Sequence, residues 1–497
     1  MKAVTAFALA AGLITATSAL HLVKRGTSSV INLPTRRKTV QNPAERDSIR
    51  RRKTVTESFD NEQTLYFANV SLGTPAQNLR LQIDTGSSDL WANANSAQIC
   101  SYGGDHCSDL GTYDANSSST YEYVSNQFNV SYIDGSGASG DYATDTLSIG
   151  GKTLEALQFG IGYRSKSLSG ILGIGYTANE AQVDRVGQKG YSNVPQAMVD
   201  GGLIQSNAYS LWLDDLEAST GSILFGGVDT DKYHGQLQTL PVQKTFDEYA
   251  EFIITLTSMS LNIQGRKTSM TAELPTAVIL DSGSSLTYLP EDLTKAIYDA
   301  LHVTYNSREG AGYASCSLAD EEITLDFAFT SPTISVSISE LIINGDASNS
   351  GDRQDADPQK GGSSPNFVTG SEQCIFGIAP SEGSYAVLGD TFLRSAYVVY
   401  DLANNEISLA QTDFNATDSH ISEISTGTDS VPDATPVLSA IQAQASQTRD
   451  IRIAGVSGTS TGSLGPALTG KSGALTTHIT YGGLASAVVT ALAAVCA

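Results

Sequence analysis

The chain is short of cationic charge, of histidine and of cysteine. Its 497 residues hold 29 Lys and Arg against 52 Asp and Glu, a formal charge of −23. Binding nucleic acid needs clustered Lys and Arg to neutralise phosphate, so this balance argues against that class. The six His residues (His21, His106, His234, His302, His420 and His478) show no metal-ligand spacing. A zinc peptidase is therefore disfavoured, and neither a metal nor another cofactor is expected. No G-x-S-x-G elbow, phosphate-cradling loop or dinucleotide fingerprint stands out, which argues against serine hydrolases and nucleotide enzymes. Long apolar runs are missing too: the terminal ones, 3–16 and 484–497, fall short of the ~20 residues that span a bilayer. Of five Cys, Cys100 with Cys107 and Cys316 with Cys374 form two groups, leaving Cys496 in the tail. In an oxidising compartment each pair is expected to close a disulfide.

The ends of the chain suggest export. Lys2, the first apolar run and the small residues Thr17-Ser18-Ala19 have the layout of a signal peptide over 1–19. Basic clusters follow at Lys24-Arg25, Arg36-Arg37-Lys38 and Arg50-Arg51-Arg52-Lys53. Through Lys53 there are 11 basic residues and 2 acids, so the remainder carries 18 against 50, or −32. Segment 20–53 thus reads as a basic pro-segment, removed by an upstream dibasic-processing protease from a strongly acidic body. Sequons at Asn69, Asn116, Asn129 and Asn415 are candidate glycosylation sites in an exported chain. Beyond 414 the composition turns to Ser, Thr, Ala, Gly and Pro, and 415–472 is expected to be a stalk without a core. Ser472-Gly473-Ala474, a polar spacer and the final apolar run match a GPI-attachment signal. Ser472 or Gly473 would carry the lipid, 473–497 would be removed, and the protein would sit at the plasma membrane or cell wall, or else be secreted.

Between these ends, 54–414 is rich in short Val, Ile, Leu, Thr, Tyr and Phe runs broken by Gly, Asn, Asp and Ser. Segments 79–83, 127–132, 223–225, 252–259, 334–338 and 396–400 predict strands of an all-β domain. Segment 291–301, after Pro290, predicts a helix, and the polar stretch 345–372 a surface insertion. The region also repeats itself. Leu81-Gln82-Ile83-Asp84-Thr85-Gly86-Ser87-Ser88 recurs as Val278-Ile279-Leu280-Asp281-Ser282-Gly283-Ser284-Ser285. Each copy has a later apolar-apolar-Gly partner, Ile171-Leu172-Gly173 and Val387-Leu388-Gly389. Two related lobes, about 62–240 and 241–414, account for this. Each motif delivers a carboxylate at a strand end, beside a Gly that permits close backbone approach. Two facing carboxylates cannot both ionise easily, so they share a proton, and one acts as base while the other acts as acid.

With these motifs the chain resembles the pepsin-like aspartic proteases. The resemblance is carried by Tyr66-Phe67, Gly73-Thr74-Pro75, Asp84 through Trp91, Gly221 through Gly227, Asp281 through Ser285 and Leu388 through Arg394. The leader and tail make it most similar to the fungal yapsin and candidapepsin-like branch. This implies a bilobal β fold with a central cleft, in a monomeric endopeptidase acting on peptides or proteins. Asp84 and Asp281 would be the catalytic pair. Thr85 and Ser282 would cross-link the two turns, and Ser87 and Ser284 would hydrogen-bond the carboxylates. Tyr132-Ile133-Asp134-Gly135-Ser136-Gly137 would be the mobile flap, with the Tyr132 hydroxyl meeting Trp91. Asp134 would face a Lys or Arg of the substrate, giving a preference for basic residues near the scissile bond. The competing readings are a pepsin-fold binding or cell-wall protein that has lost catalysis, and a two-carboxylate glycosidase, which leaves the duplicated turns unexplained.

Overall fold

Period-two alternation becomes strand across most of the body. Gln77–Asp84 buries Leu79, Leu81 and Ile83 on one face, and the segments expected near 127–132, 223–225, 334–338 and 396–400 are the strands Glu122–Ser131, Thr220–Phe225, Thr333–Ser337 and Ala396–Asp401. Segment 252–259 divides into Ile253–Leu256 and Ser258–Ile263, which join different sheets. Glu291–Leu301 is helical and buries Leu293, Ile297, Tyr298 and Leu301, the spacing of one helix face. The computed structural model describes residues 29–39, 64–101, 107–132, 136–218, 220–343, 373–381 and 386–443, all within one compact unit, Met1–Gly455. The signal run, the clusters at 24–25 and 50–53, the stretch 345–372, Ser472, Gly473 and Cys496 lie outside the described residues.

A 14-stranded sheet ties the two halves of the chain together, and three sheets of five, four and four strands complete the second half. Within the large sheet Ala208–Trp212 pairs on one side with Thr220–Phe225 and on the other with the returning strand Ala396–Asp401. Next to Thr220–Phe225 lies Ile31–Thr39, which also pairs with Thr64–Leu72. Part of the basic leader is therefore built into the body, with Ile31 and Leu33 buried. Of the cluster Arg36-Arg37-Lys38, Arg36 is paired along both edges of this strand, and Arg37 and Lys38 pair with Thr64–Leu72 alone. Arg37 lies near Tyr66, Arg394, Glu340 and Asp390, and burial lowers its pKa. At the centre of that group Arg394 Nε donates to Glu340 Oε2 at 2.6 Å, and Glu340 Oε1 accepts the Leu216 N–H at 3.0 Å. The Glu340 carboxylate thus links the two halves through Leu216, and within the buried ion pair the attraction offsets a desolvation cost of several kcal/mol per ion.

The body does not stop at Phe414. Composition predicted an unfolded stalk from 415, yet 415–443 packs along the large sheet. Ile421–Glu423 pairs with Gly227–Asp229, and Ala434–Pro436 runs parallel to Tyr233–Pro241. Ile424 and Val431 are buried among Trp212, Val228, Leu237 and Tyr397. The Asp229 carboxylate accepts the Ser419 hydroxyl and the His420 N–H, while Ile441 and Ala443 donate their N–H groups to Thr330 and Thr255. A few apolar anchors suffice here because the segment docks on a finished surface and needs no core of its own. The substitution Ile424→Ala is expected to cost about 2–5 kcal/mol, read as a lower urea midpoint with an unchanged slope.

Candidate active site

Two strands end at the same place. Gln77–Asp84 delivers Asp84, and Thr276–Leu280 delivers Asp281 one residue past its end. Each following turn folds back on its own carboxylate. Asp84 accepts Gly86 N–H through Oδ1 at 2.8 Å and the Ser87 hydroxyl through Oδ2 at 2.6 Å. Asp281 does the same with Gly283 N–H at 2.8 Å and Ser284 at 2.7 Å. Beneath them the turns interlock. Thr85 Oγ1 donates to Leu280 O at 3.0 Å and accepts Ser282 N–H at 3.0 Å, while Ser282 Oγ donates to Ile83 O at 3.3 Å and accepts Thr85 N–H at 3.2 Å. Both hydroxyls are buried, so each would be left unsatisfied without its partner turn.

The two glycines set how closely the carboxylates approach. A methyl group on Gly86 would lie 2.6 Å from Asp281 Oδ1, and one on Gly283 would lie 2.4 Å from Asp84 Oδ1 and 3.0 Å from Asp281 Oδ1. Each Asp therefore occupies the space that a side chain on the other turn would fill.

The apolar-apolar-Gly runs support the turns from behind. Ile171–Gly173 runs parallel to the strand carrying Asp84 and antiparallel to Leu90–Asn93. Ala386–Leu388 stands in the same relation to Thr276–Leu280 and Thr287–Leu289. Their glycines, Gly173 and Gly389, pass over the turns so tightly that a Cβ would come within 2.7 Å of Asp89 N and 2.3 Å of Leu286 O. The two copies are thus matched in geometry as well as in residue type.

Over the first turn stands a hairpin, Glu122–Ser131 with Gly137–Ile149, closed by Tyr132 N–H on Ser136 O at 3.0 Å. Trp91 Nε1 donates to the Tyr132 hydroxyl at 2.7 Å. Asp134 and Gly135 lie outside the described residues. Both cysteine pairs are disulfides, Cys100–Cys107 and Cys316–Cys374, away from the carboxylates in sequence. Asn69 and Asn116 are exposed and Asn129 is half-buried, whereas Asn415 Nδ2 donates to Asp215 at 2.5 Å. Among the described residues no group of His, Cys, Asp and Glu is arranged to hold a metal.

One residue of the site lies within the first repeat but has no counterpart in the second, where Ile279 stands in its place. Gln82 Nε2 donates across the junction to Gly283 O at 3.2 Å. Its signal is positional: it stands two residues before Asp84, on the same strand face, a polar side chain in a strand that is buried throughout this stretch.

A strand-built body whose two Asp-Thr/Ser-Gly-Ser turns interlock under paired carboxylates is the construction of the pepsin-like aspartic proteases. The family model described as eukaryotic aspartyl protease matches 65–353 and 363–412, and the chain belongs to that family and is an aspartic-type endopeptidase. It is 53% identical over 446 residues, 89% of this chain and 88% of the relative, to a probable aspartic-type endopeptidase opsB of Aspergillus oryzae. It is 34% identical to the aspartic proteinase yapsin-3 of Saccharomyces cerevisiae, over 71% of this chain and 67% of the relative. The crystal structure of the aspartic proteinase from Irpex lacteus has the same fold, with a TM-score of 0.56 at 22% identity, covering 79% of this chain and all of that one.

The substitution Gly283→Ala tests the close approach directly. Displacing the Asp84 carboxylate by about 1 Å is expected to lower kcat/KM about 100-fold, in a variant whose circular dichroism matches that of the parent.

Proposed function

We propose that Asp84 and Asp281 hydrolyse peptide bonds by activating water between them. The observation that carries this reading is the reciprocal one: each carboxylate is held by its own turn and fitted against the glycine of the other. With one proton shared by the pair, the ionised carboxylate takes a proton from water while its partner protonates the peptide carbonyl oxygen. The tetrahedral intermediate then collapses as a proton passes to the leaving nitrogen, and no bond to the enzyme forms. Positioned proton transfer supplies ~10²–10⁴-fold, so alignment of substrate in the cleft provides much of the rest. Tyr132, held by Trp91, is the flap residue that covers substrate.

The substrate has a basic residue near the scissile bond. Asp134 stands between Tyr132 and Ser136 in the sequence, and the chain after Lys53 carries a charge of −32. The protein is exported as a zymogen, N-glycosylated, and held at the cell surface by a lipid attached at Ser472 or Gly473; glycosylation at Asn415 would require its amide to leave Asp215. Cleavage by a dibasic-processing protease falls at 24–25 or 50–53, because the backbone of Arg36-Arg37-Lys38 is held in a strand paired with Thr64–Leu72. Removing Ile31–Thr39 would leave open edges on Thr64–Leu72 and Thr220–Phe225, so maturation leaves that strand bound or refills its place.

Asp84→Asn is expected to lower kcat on a peptide substrate by at least ~10²-fold while a peptide-like inhibitor still binds. Equal turnover by variant and parent would refute the mechanism, and a parent that binds peptides without cleaving them would point to a binding protein. In a mixed peptide library, Asp134→Ala should lower the ratio of Lys/Arg-site to apolar-site cleavage roughly tenfold, the loss of one charge-assisted bond. An unchanged ratio removes Asp134 from specificity without touching the role of Asp84.

A further inference from the structure

Directly beneath the Asp84 turn lie two buried acids that the mechanism does not use. Asp89, at the end of that turn, accepts the hydroxyls of Tyr142 at 2.8 Å and Tyr191 at 2.9 Å on Oδ1, and the Ala181 N–H at 2.7 Å on Oδ2. Glu180 is fully buried; its Oε2 accepts the Tyr191 N–H at 2.8 Å, and its Oε1 has no hydrogen-bond partner. Tyr191 thus bridges the two acids, giving its N–H to one and its hydroxyl to the other.

The segment carrying Glu180 grips the catalytic turn at several points. Ser88 Oγ donates to Tyr176 O at 2.6 Å, Gly175 N–H to Ser87 O at 2.8 Å, and Asn179 Nδ2 to Gly86 O at 3.1 Å. From the same tyrosines a chain of rings leads to the flap. Tyr191 lies 5.9 Å from Tyr142, Tyr142 lies 5.2 Å from Phe128, and Phe128 lies 6.3 Å from Trp91, which holds Tyr132.

We propose that Glu180 and Asp89 form a latch that keeps the catalytic turn and the flap base in register in acid and releases them as pH rises. Neither acid is a catalytic residue; both are positioning residues acting through Tyr191 and Tyr142. Among the described residues, the titratable groups facing Glu180 are Asp89, Tyr142 and Tyr191, and no cation is among the described groups acting on either acid. Burial pushes the Glu180 carboxyl up from 4.5 to about 9, with Asp89 raising it further and the Tyr191 N–H opposing, and burial also raises Asp89. In this window the folded state holds a proton that the unfolded chain has lost. The stabilisation is therefore full below 4.5 and drains away as pH rises towards about 9. An ionised Glu180 would place an unpaired charge beside Asp89, and the 176–193 segment would separate from the turn.

The test reads structure, so it stands apart from whether Asp84 activates water. Trp91 emission is followed against pH in a Trp212→Phe background, with inactivation measured as the peptidase activity recovered on return to acid. The parent should show a transition between 4.5 and about 9. Glu180→Gln, neutral at every pH, should move that transition up by at least one pH unit and slow inactivation at a fixed pH about tenfold. Glu180→Ala, lacking the Tyr191 bond, should inactivate faster than Glu180→Gln at every pH. An unshifted transition in Glu180→Gln, or a Gln variant that behaves like the Ala variant, overturns the latch. If Glu180→Gln does not fold, hydrogen exchange on the parent decides. Protection lost in 176–193 before the rest of the body supports the proposal, and uniform loss overturns it.

Discussion

The structure turns on one steric fact: two backbone turns approach so closely that neither tolerates a side chain at its glycine. Gly86 and Gly283 each leave room for the Asp of the opposite turn, and Thr85 and Ser282 fasten the approach from below with four hydrogen bonds. Everything in the neighbourhood serves that approach. Two apolar strands end in glycine because they pass across the turns at backbone distance, and Gln82 reaches over the junction to bind the same peptide unit that Gly283 contributes.

Around this junction the two halves are not symmetric in their supports. The first turn is backed by buried acids, tyrosines and an aromatic path to the hairpin that ends at Tyr132. The second is backed by the Thr391 hydroxyl, which bridges Thr287 and Gly377 O, and by the buried Arg394–Glu340 pair nearby. A duplicated motif has therefore been given two different surroundings: one of buried acids bound to tyrosine hydroxyls, the other of a buried acid paired with a guanidinium.

The site was legible in the sequence because its chemistry is local. An Asp, a Gly and a Ser within four residues encode a turn that hydrogen-bonds its own carboxylate, and the apolar residues before each Asp encode a buried strand. Burial and long-range pairing leave weaker traces. Glu180 looks like any surface acid until Tyr191 and Asp89 are seen to enclose it. Ile31–Thr39 reads as a charged leader because Arg36, Arg37 and Lys38 outweigh Ile31 and Leu33, although alternation of apolar residues was present. Segment 415–443 has too few apolar residues to predict folding on its own, and it folds because Ile424 and Val431 meet a groove already made by Val228, Leu237 and Tyr397.

The pairing of Ala208–Trp212 with Ala396–Asp401, and of the Thr85 turn with the Ser282 turn, has a consequence for timing. These contacts join residues far apart in the chain, and such contacts form late because a long loop must close before they contribute. A growing chain that has already emerged as far as Asp84 carries the acid without its partner, its floor or its neighbouring sheet. The junction of the two turns thus has no partial form. It assembles only after the second turn and the returning strand Ala396–Asp401 have been made.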